Sequence, residues 1–361
     1  MRLCYLADAP YVHTRRWVEH FTGLGWETHV LSFRPAEIAG ARVHYVDGWE
    51  RLGKLRYLLH ARRVRRMVRE LRPDLLHALH LTSYGFLAGL AGVRPTIVSV
   101  WGTDVLEAPR LSPLHYFVTR YALGRADHIT ATGLRLAEAA TSYAPKGKPV
   151  TVIPYGVDLE TFRPEPRPRR QEVVVGAVAR LSPEKGLRYL IGAFARLARD
   201  DDRVRLVLAG DGPERRRLER MVEKERLGGR VDFLGEVPHE RVPEVLAGID
   251  IFAMPSIYEG FGVAALEAAA MEVPVVATNV FGIPDVVADG ETGLLVRPRD
   301  AGALAGALLR LVQDEGLRRR LGKAGRSFVQ AHYSWAENAA QMEELYRAAL
   351  SGSLRNRGRA C

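Results

Sequence analysis

The chain has only two cysteines in 361 residues, Cys4 and Cys361, and they lie near or at opposite ends. Such a pair gives no disulfide framework and fits a reducing compartment. It also lacks any run of about 18 apolar residues, so no membrane-spanning helix is expected. The opening residues, MRLCYLADAP, lack the charged start, apolar stretch and small-residue cleavage site of a secretion signal. A cytoplasmic protein is the expectation. Acidic side chains are in deficit, leaving a formal net charge of +10. That balance favours an anionic partner, such as nucleic acid, an anionic lipid surface or a phosphorylated substrate. No nucleic-acid-binding module accompanies the charge, so nucleic acid is not expected.

What is present is a repeated alternation of apolar runs and helical stretches. In the second half these are EVVVGAVAR, LRYLIGAFARLARD, RVRLVLAGDG and PERRRLERMVEKERL, followed by RVDFLGE, HERVPEVLAGI, DIFAMPS, FGVAALEAAAMEV, PVVATNV and TGLLV. Nearly continuous apolar runs fit strands buried on both faces of a parallel sheet. The first half repeats the rhythm with RLCYLAD, WETHVLSF, ARVHYVD, DLLHALHL, TIVSVWGTD, DHITATG and VTVIPYGVD. Proline and charge in TFRPEPRPRR, residues 161–170, mark a linker. The expected organisation is two doubly wound α/β domains, 1–165 and 166–335, with a ligand cleft between them. A closing helix over 336–350, able to cross back to the first domain, and a disordered basic tail over 351–361 follow.

The segment SIYEGFGVAALEAAA carries most of the chemistry. Gly260 and Gly262 open the turn for close backbone approach, and a helix start there suits a phosphate. Glu259 lies before the helix and Glu267 within it, offset by eight residues. As ionised acceptors they suit the hydroxyls of a sugar and a ribose. The plainer reading makes Glu259 a first-turn carboxylate and Glu267 a solvated helix residue. In ARLSPEKG, Arg180 and Lys185 fall between a strand and a helix, where two cations can hold a diphosphate leaving group. A solvated turn is the alternative. Gly210 in AGDGP and Leu234 in FLGEVP could frame a nucleobase pocket through backbone groups, or form ordinary strand-end turns.

Together these segments resemble the retaining GT-B glycosyltransferases of family 4, the group 1 glycosyltransferases. The matching text is ARLSPEKG, AGDGPE, FLGEVP, DIFAMPSIYEGFGVAALEAAA, PVVATNVFGIPDVV and DGETGLLV, with VIPYGVDLETFRP in the first half and HYSWAENAAQMEELYRAAL at the end. The resemblance implies two Rossmann-like domains facing each other across a cleft. It also implies sugar transfer from a nucleotide-diphosphate donor with retention and no essential metal or cofactor. The acceptor would be a lipid-linked, polysaccharide or small-molecule hydroxyl. By the same resemblance Arg180 and Lys185 grip the diphosphate, Glu259 the transferred sugar and Glu267 the ribose. Phe261, Gly262 and Val263 offer backbone N–H groups.

The first half departs from the family pattern. Trp101, in SVWGTDV, stands where the family carries a histidine, and Asp104 follows it as a candidate to orient a hydroxyl. Trp101 could stack on a sugar face or sit in the core. ADAPYVHTRRW replaces the family's glycine-rich loop, leaving His13 as the first candidate for the acceptor or leaving phosphate and His80 as the second. Asp200–Asp202 reads as a solvated connector. Arg51–Arg72 reads as one basic helix, either an interfacial anchor to anionic lipid or a helix packed on the sheet. Three rivals to the transferase stand: a nucleotide-sugar 2-epimerase of the same architecture, a basic nucleic-acid-binding protein, and a non-catalytic relative.

Overall fold

The computed structural model describes residues 1–46, 55–165 and 171–352. The start of the basic stretch, Arg51–Lys54, the end of the linker, residues 166–170, and most of the tail, residues 353–361, lie outside them. The chain divides into two compact units, Met1–Tyr155 with Glu337–Cys361, and Gly156–Ala336. The division falls ahead of the proline-rich segment rather than within it.

The first unit holds seven parallel strands: β1 (Arg2–Leu6), β2 (Glu27–Ser32), β3 (Arg42–Tyr45), β4 (Leu75–Leu79), β5 (Thr96–Val100), β6 (His128–Ala131) and β7 (Val150–Val152). Their order in the sheet is β3-β2-β1-β4-β5-β6-β7. The strand order reverses between β1 and β4, the place where doubly wound sheets open a ligand crevice. Every residue of β4 and β5 is buried, which is why LLHAL and TIVSV are near-continuously apolar.

Three polar residues interrupt that apolar text, His77, Thr96 and Ser99, and two of them lie in a buried hydrogen-bonded chain. His77, on β4, has Nε2 2.8 Å from Ser99 Oγ on β5, and its Nδ1 pairs with the Tyr346 hydroxyl. Tyr346 lies 3.3 Å from the Tyr5 hydroxyl and packs its ring on Phe21 at 4.6 Å. Thus the helix Trp335–Leu350 ties its later turns to the first sheet. Burial lowers the His77 pKa to about 3, keeping the ring neutral and available to this network.

The second unit holds β8 (Val173–Val178), β9 (Val204–Ala209), β10 (Val231–Gly235), β11 (Ile251–Met254), β12 (Val275–Thr278) and β13 (Gly293–Val296). All pair in parallel, in the order β10-β9-β8-β11-β12-β13, with the reversal between β8 and β11. Asp300 and Asp314 each accept an N–H from three residues on, at 2.8 Å, capping two helices that cover this sheet. Its core joins the β-branched strand residues to Leu190, Ile191, Phe194 and Leu197 of the helix Leu187–Asp200.

The basic stretch corrects one expectation. Its described part is two helices, Leu55–Leu59 and Ala61–Leu71, broken at His60, rather than one. Val64 and Val68 enter the first unit's core, so the longer helix packs on its own domain. Asp201 and Asp202 pair with Arg203 and Arg230, as a connector would.

Candidate functional site

The loops that leave β8 and β11 meet at the strand reversal of the second sheet. After β8 the chain makes a single 3-10 turn, Pro183–Lys185, and ends it at Gly186. Gly186 has φ +64°, and a Cβ there would lie 2.1 Å from the Pro255 carbonyl oxygen. Only glycine permits that approach. The Glu184 carbonyl accepts the N–H groups of Ile257 at 2.8 Å and Tyr258 at 3.3 Å, so backbone bonds fasten the two loops together.

This fastening sets Lys185 against Glu259. The ammonium donates to Glu259 Oε2 at 2.7 Å, and Ser256 Oγ donates to the same oxygen at 3.3 Å. Both partners are partly exposed, so each keeps a face for a ligand. A lysine has three donors, and this bond leaves two for a phosphate. Arg180, exposed at the end of β8, lies close enough to act electrostatically on Glu184. Arg180, Lys185 and Glu259 therefore belong to one loop cluster.

Gly262 follows with φ +97° and begins the helix Val263–Ala270. A Cβ at Gly262 would lie 2.7 Å from Ile283 Cδ1, so its side is closed to larger residues. First-turn N–H groups such as that of Val263 have no partner within the helix. Phe261 is buried and sets its ring 5.7 Å from that of Tyr333, which anchors the turn.

Glu267 is not a solvated helix residue. It is 6% exposed, in a helix otherwise made of Val, Ala and Leu, and its Oε1 sits 2.8 Å from His239 Nε2. His239 stands in the turn after β10, with its ring 5.6 Å from Phe162. Nothing in the sequence marks His239, because the contact spans 28 residues and two separate loops. Gly210 and Gly235 bond across the ends of β9 and β10, N to O at 2.7 Å, which brings Gly210 beside Leu234. Leu234 lies on the edge strand, 48% exposed, and lines a groove with Val174, Val207 and Ile249.

In the first unit, His13 and Trp101 come together in an aromatic cluster. His13 stacks on Tyr155 with ring centroids 3.8 Å apart, and Trp101 lies 5.5 Å from Tyr11 and 5.4 Å from Tyr155. Trp101 is half-buried, neither wholly core nor free. His80, at the end of β4, holds φ +95°, a strained value for a residue with a Cβ, and its Nδ1 lies 2.9 Å from Ser83 Oγ.

Asp104 is held by backbone N–H groups. It is 1% exposed, and its carboxylate accepts the N–H groups of Leu81 at 2.9 Å, Gly102 at 2.8 Å and Trp101 at 3.2 Å. It therefore shapes the loops around Trp101 and His80. Among the described residues no cluster of three or more His, Cys, Asp or Glu is placed to hold a metal ion. No helix among them is long and apolar enough to cross a membrane.

The family profile described as glycosyl transferases group 1 matches residues 158–328, and one described as glycosyl transferase 4-like matches residues 2–133. A glycogen synthase of Mycobacterium tuberculosis is 32% identical over 225 residues, 62% of this chain and 54% of that protein. The chain thus spans about half the length of that relative. A GDP-mannose-dependent alpha-(1-6)-phosphatidylinositol monomannoside mannosyltransferase of Mycolicibacterium smegmatis is 32% identical over 285 residues, 74% of each chain. The solved structure of a sucrose-phosphate synthase from Thermosynechococcus elongatus superposes with a TM-score of 0.83 at 25% identity, covering 98% of this chain and 100% of that one. Two parallel-sheet α/β units with such a neighbour have the GT-B fold. With profiles matching both units and a relative covered over 74% of its length, this chain belongs to the group 1 glycosyl transferases.

Proposed function

We propose that the chain transfers a sugar from a nucleotide-diphosphate donor to a hydroxyl acceptor, with retention at the anomeric carbon and without an essential metal. The observation that carries this reading is the Lys185–Glu259 pair at the strand reversal of the second sheet. A cation for the leaving diphosphate and an acceptor for sugar hydroxyls stand side by side where doubly wound sheets bind ligands. The Val263–Ala270 helix start supports it as an anion site in the same cluster.

In this reading the bond between the anomeric carbon and the diphosphate breaks, a bond to the acceptor oxygen forms on the same face, and the acceptor's hydroxyl proton passes to the departing diphosphate. The departing diphosphate takes the electron pair, and Arg180 and Lys185 stabilise its growing charge. That neutralisation is the part a metal would otherwise supply. Glu259 orients the sugar, and Glu267, held by His239, faces the ribose. The acceptor side is assigned to the first unit, at His13, His80 and Trp101. The relatives' names include both a glycogen synthase and a phosphatidylinositol monomannoside mannosyltransferase, and a hydroxyl is the acceptor group common to both.

The test is incubation of the full chain with a panel of sugar nucleotides, with and without carbohydrate acceptors. Acceptor-dependent release of nucleoside diphosphate supports transfer. Isomerisation of the donor with no acceptor present assigns the site to an epimerase instead.

A further inference from the structure

The helix Ala61–Leu71 carries a line of arginines that the donor chemistry does not use. Arg62, Arg65, Arg66 and Arg69 recur at offsets of three, four and seven, which places them on one helical face. All four are exposed. Arg72, just past the helix, and Arg2, at the start of β1, extend the line. With Glu70 these residues line a shallow groove of about 980 Å³. The opposite face puts Val64 and Val68 in the core, which fixes the arginine face outward.

Like charges at these spacings repel, and several arginines elsewhere on the surface are paired. Arg34 lies 3.3 Å from Asp8, Arg203 2.8 Å from Asp201 and Arg205 2.9 Å from Glu172. Arg2 is itself paired with Glu27 at 2.9 Å. Among the described residues, none of Arg62, Arg65, Arg66, Arg69 and Arg72 has a carboxylate partner. Five guanidiniums without an ion-pair partner, facing Glu70 as the one acidic residue among the described lining, are relieved by an external anion.

Two features identify its class. Among the described residues, the groove lining has no aromatic side chain on which a nucleobase could stack. Leu58 and Leu59, immediately ahead of the helix, are 50% and 59% exposed. Cations next in sequence to exposed leucines match a layer of anionic headgroups over hydrocarbon. We propose that this face of the first unit docks on an anionic lipid bilayer, through Arg62, Arg65, Arg66, Arg69 and Arg72. Because Val64 and Val68 are held in the core, the longer helix does not insert. The contact is superficial, largely electrostatic and sensitive to salt.

The experiment is co-sedimentation of the full chain with neutral phosphatidylcholine vesicles and with vesicles that also carry phosphatidylglycerol. Wild-type protein sediments with the anionic vesicles at about 0.05 M salt and is released as screening tightens at higher salt. Each arginine replaced by glutamine lowers partitioning about fivefold. R62Q/R65Q/R66Q/R69Q together leave it near background, while thermal unfolding stays as in the wild type. L58S/L59S weakens binding more modestly. The proposal is overturned if the quadruple variant sediments like the wild type, if the wild type ignores anionic vesicles at low salt, or if neutral vesicles take it equally. Tighter binding of random-sequence duplex DNA, lost in the same quadruple variant, assigns the face to nucleic acid and also overturns it.

Discussion

Lys185 Nζ lies 2.7 Å from Glu259 Oε2, joining the loops that follow the first and fourth strands of the second sheet. In the proposed reaction the lysine also meets the diphosphate as charge develops on it. Lys185→Ala is therefore expected to lower kcat by roughly two to three orders of magnitude, as loss of one transition-state donor does. Glu259→Gln keeps the shape and removes the charge, and it is expected to slow turnover comparably. Steady-state kinetics with the preferred donor check both. In a double variant the losses should not add, because the two groups act as a unit.

His239 holds the buried carboxylate of Glu267 at 2.8 Å. Removing it leaves that carboxylate without its partner, and His239→Ala is expected to weaken nucleoside diphosphate binding about tenfold, the cost of one charge-assisted hydrogen bond. His239→Gln, which can place an amide N–H near the same oxygen, should recover most of the loss. A 2′-deoxynucleotide checks the route through the ribose. Its affinity should change little between the wild type and His239→Ala.

Gly186 closes the turn that carries Lys185. Its φ of +64° and the 2.1 Å approach of the Pro255 oxygen leave no room for a methyl group. Gly186→Ala is expected to cost about 1–3 kcal/mol of stability and to lower donor affinity by moving the Lys185 loop. Denaturant unfolding and donor titration of the same preparation check the two effects.

The buried histidines make stability depend on pH. His77 is lowered to about 3 by burial, and His128 to about 4 by burial and then by the nearby Lys148 charge. Each is depressed below its unfolded value of about 6.5, so the unfolded chain takes up these protons first. Their contribution is fully present above about pH 6.5 and is lost as pH falls, at up to about 1.4 kcal/mol per pH unit for each ring. Denaturant midpoints between pH 7 and pH 5 should decline. His77→Gln should flatten that decline by one proton's worth.

Much of this was legible in the sequence because it is local. Apolar runs buried on both faces announced the parallel strands, and ARLSPEKG and SIYEGFG placed Arg180, Lys185 and Glu259 at strand ends. The distant contacts were not legible. The His239 bond to Glu267 and the joining of Tyr346 to His77 each depend on how separate segments fold together. The contacts of Asp104 were hidden for a related reason. An aspartate in a strand-end loop looks like a ligand-binding group, and the text does not show the three backbone N–H groups it accepts. The basic stretch showed its charge in the text and allowed a helix packed on the sheet, as Val64 and Val68 do, but not the break at His60.

The most direct measurement is thermal shift or calorimetric titration of the wild type, Lys185→Ala and Glu259→Gln with UDP, GDP, ADP, CDP and their sugars. At least one nucleotide and its sugar should stabilise the wild type. Ligand at 100 times its dissociation constant adds about 2.7 kcal/mol. Lys185→Ala should lose the response to the diphosphate, and Glu259→Gln should lose the extra response to the sugar. Equal responses from all three proteins, or none from the wild type, would contradict a donor site built on the Lys185–Glu259 pair.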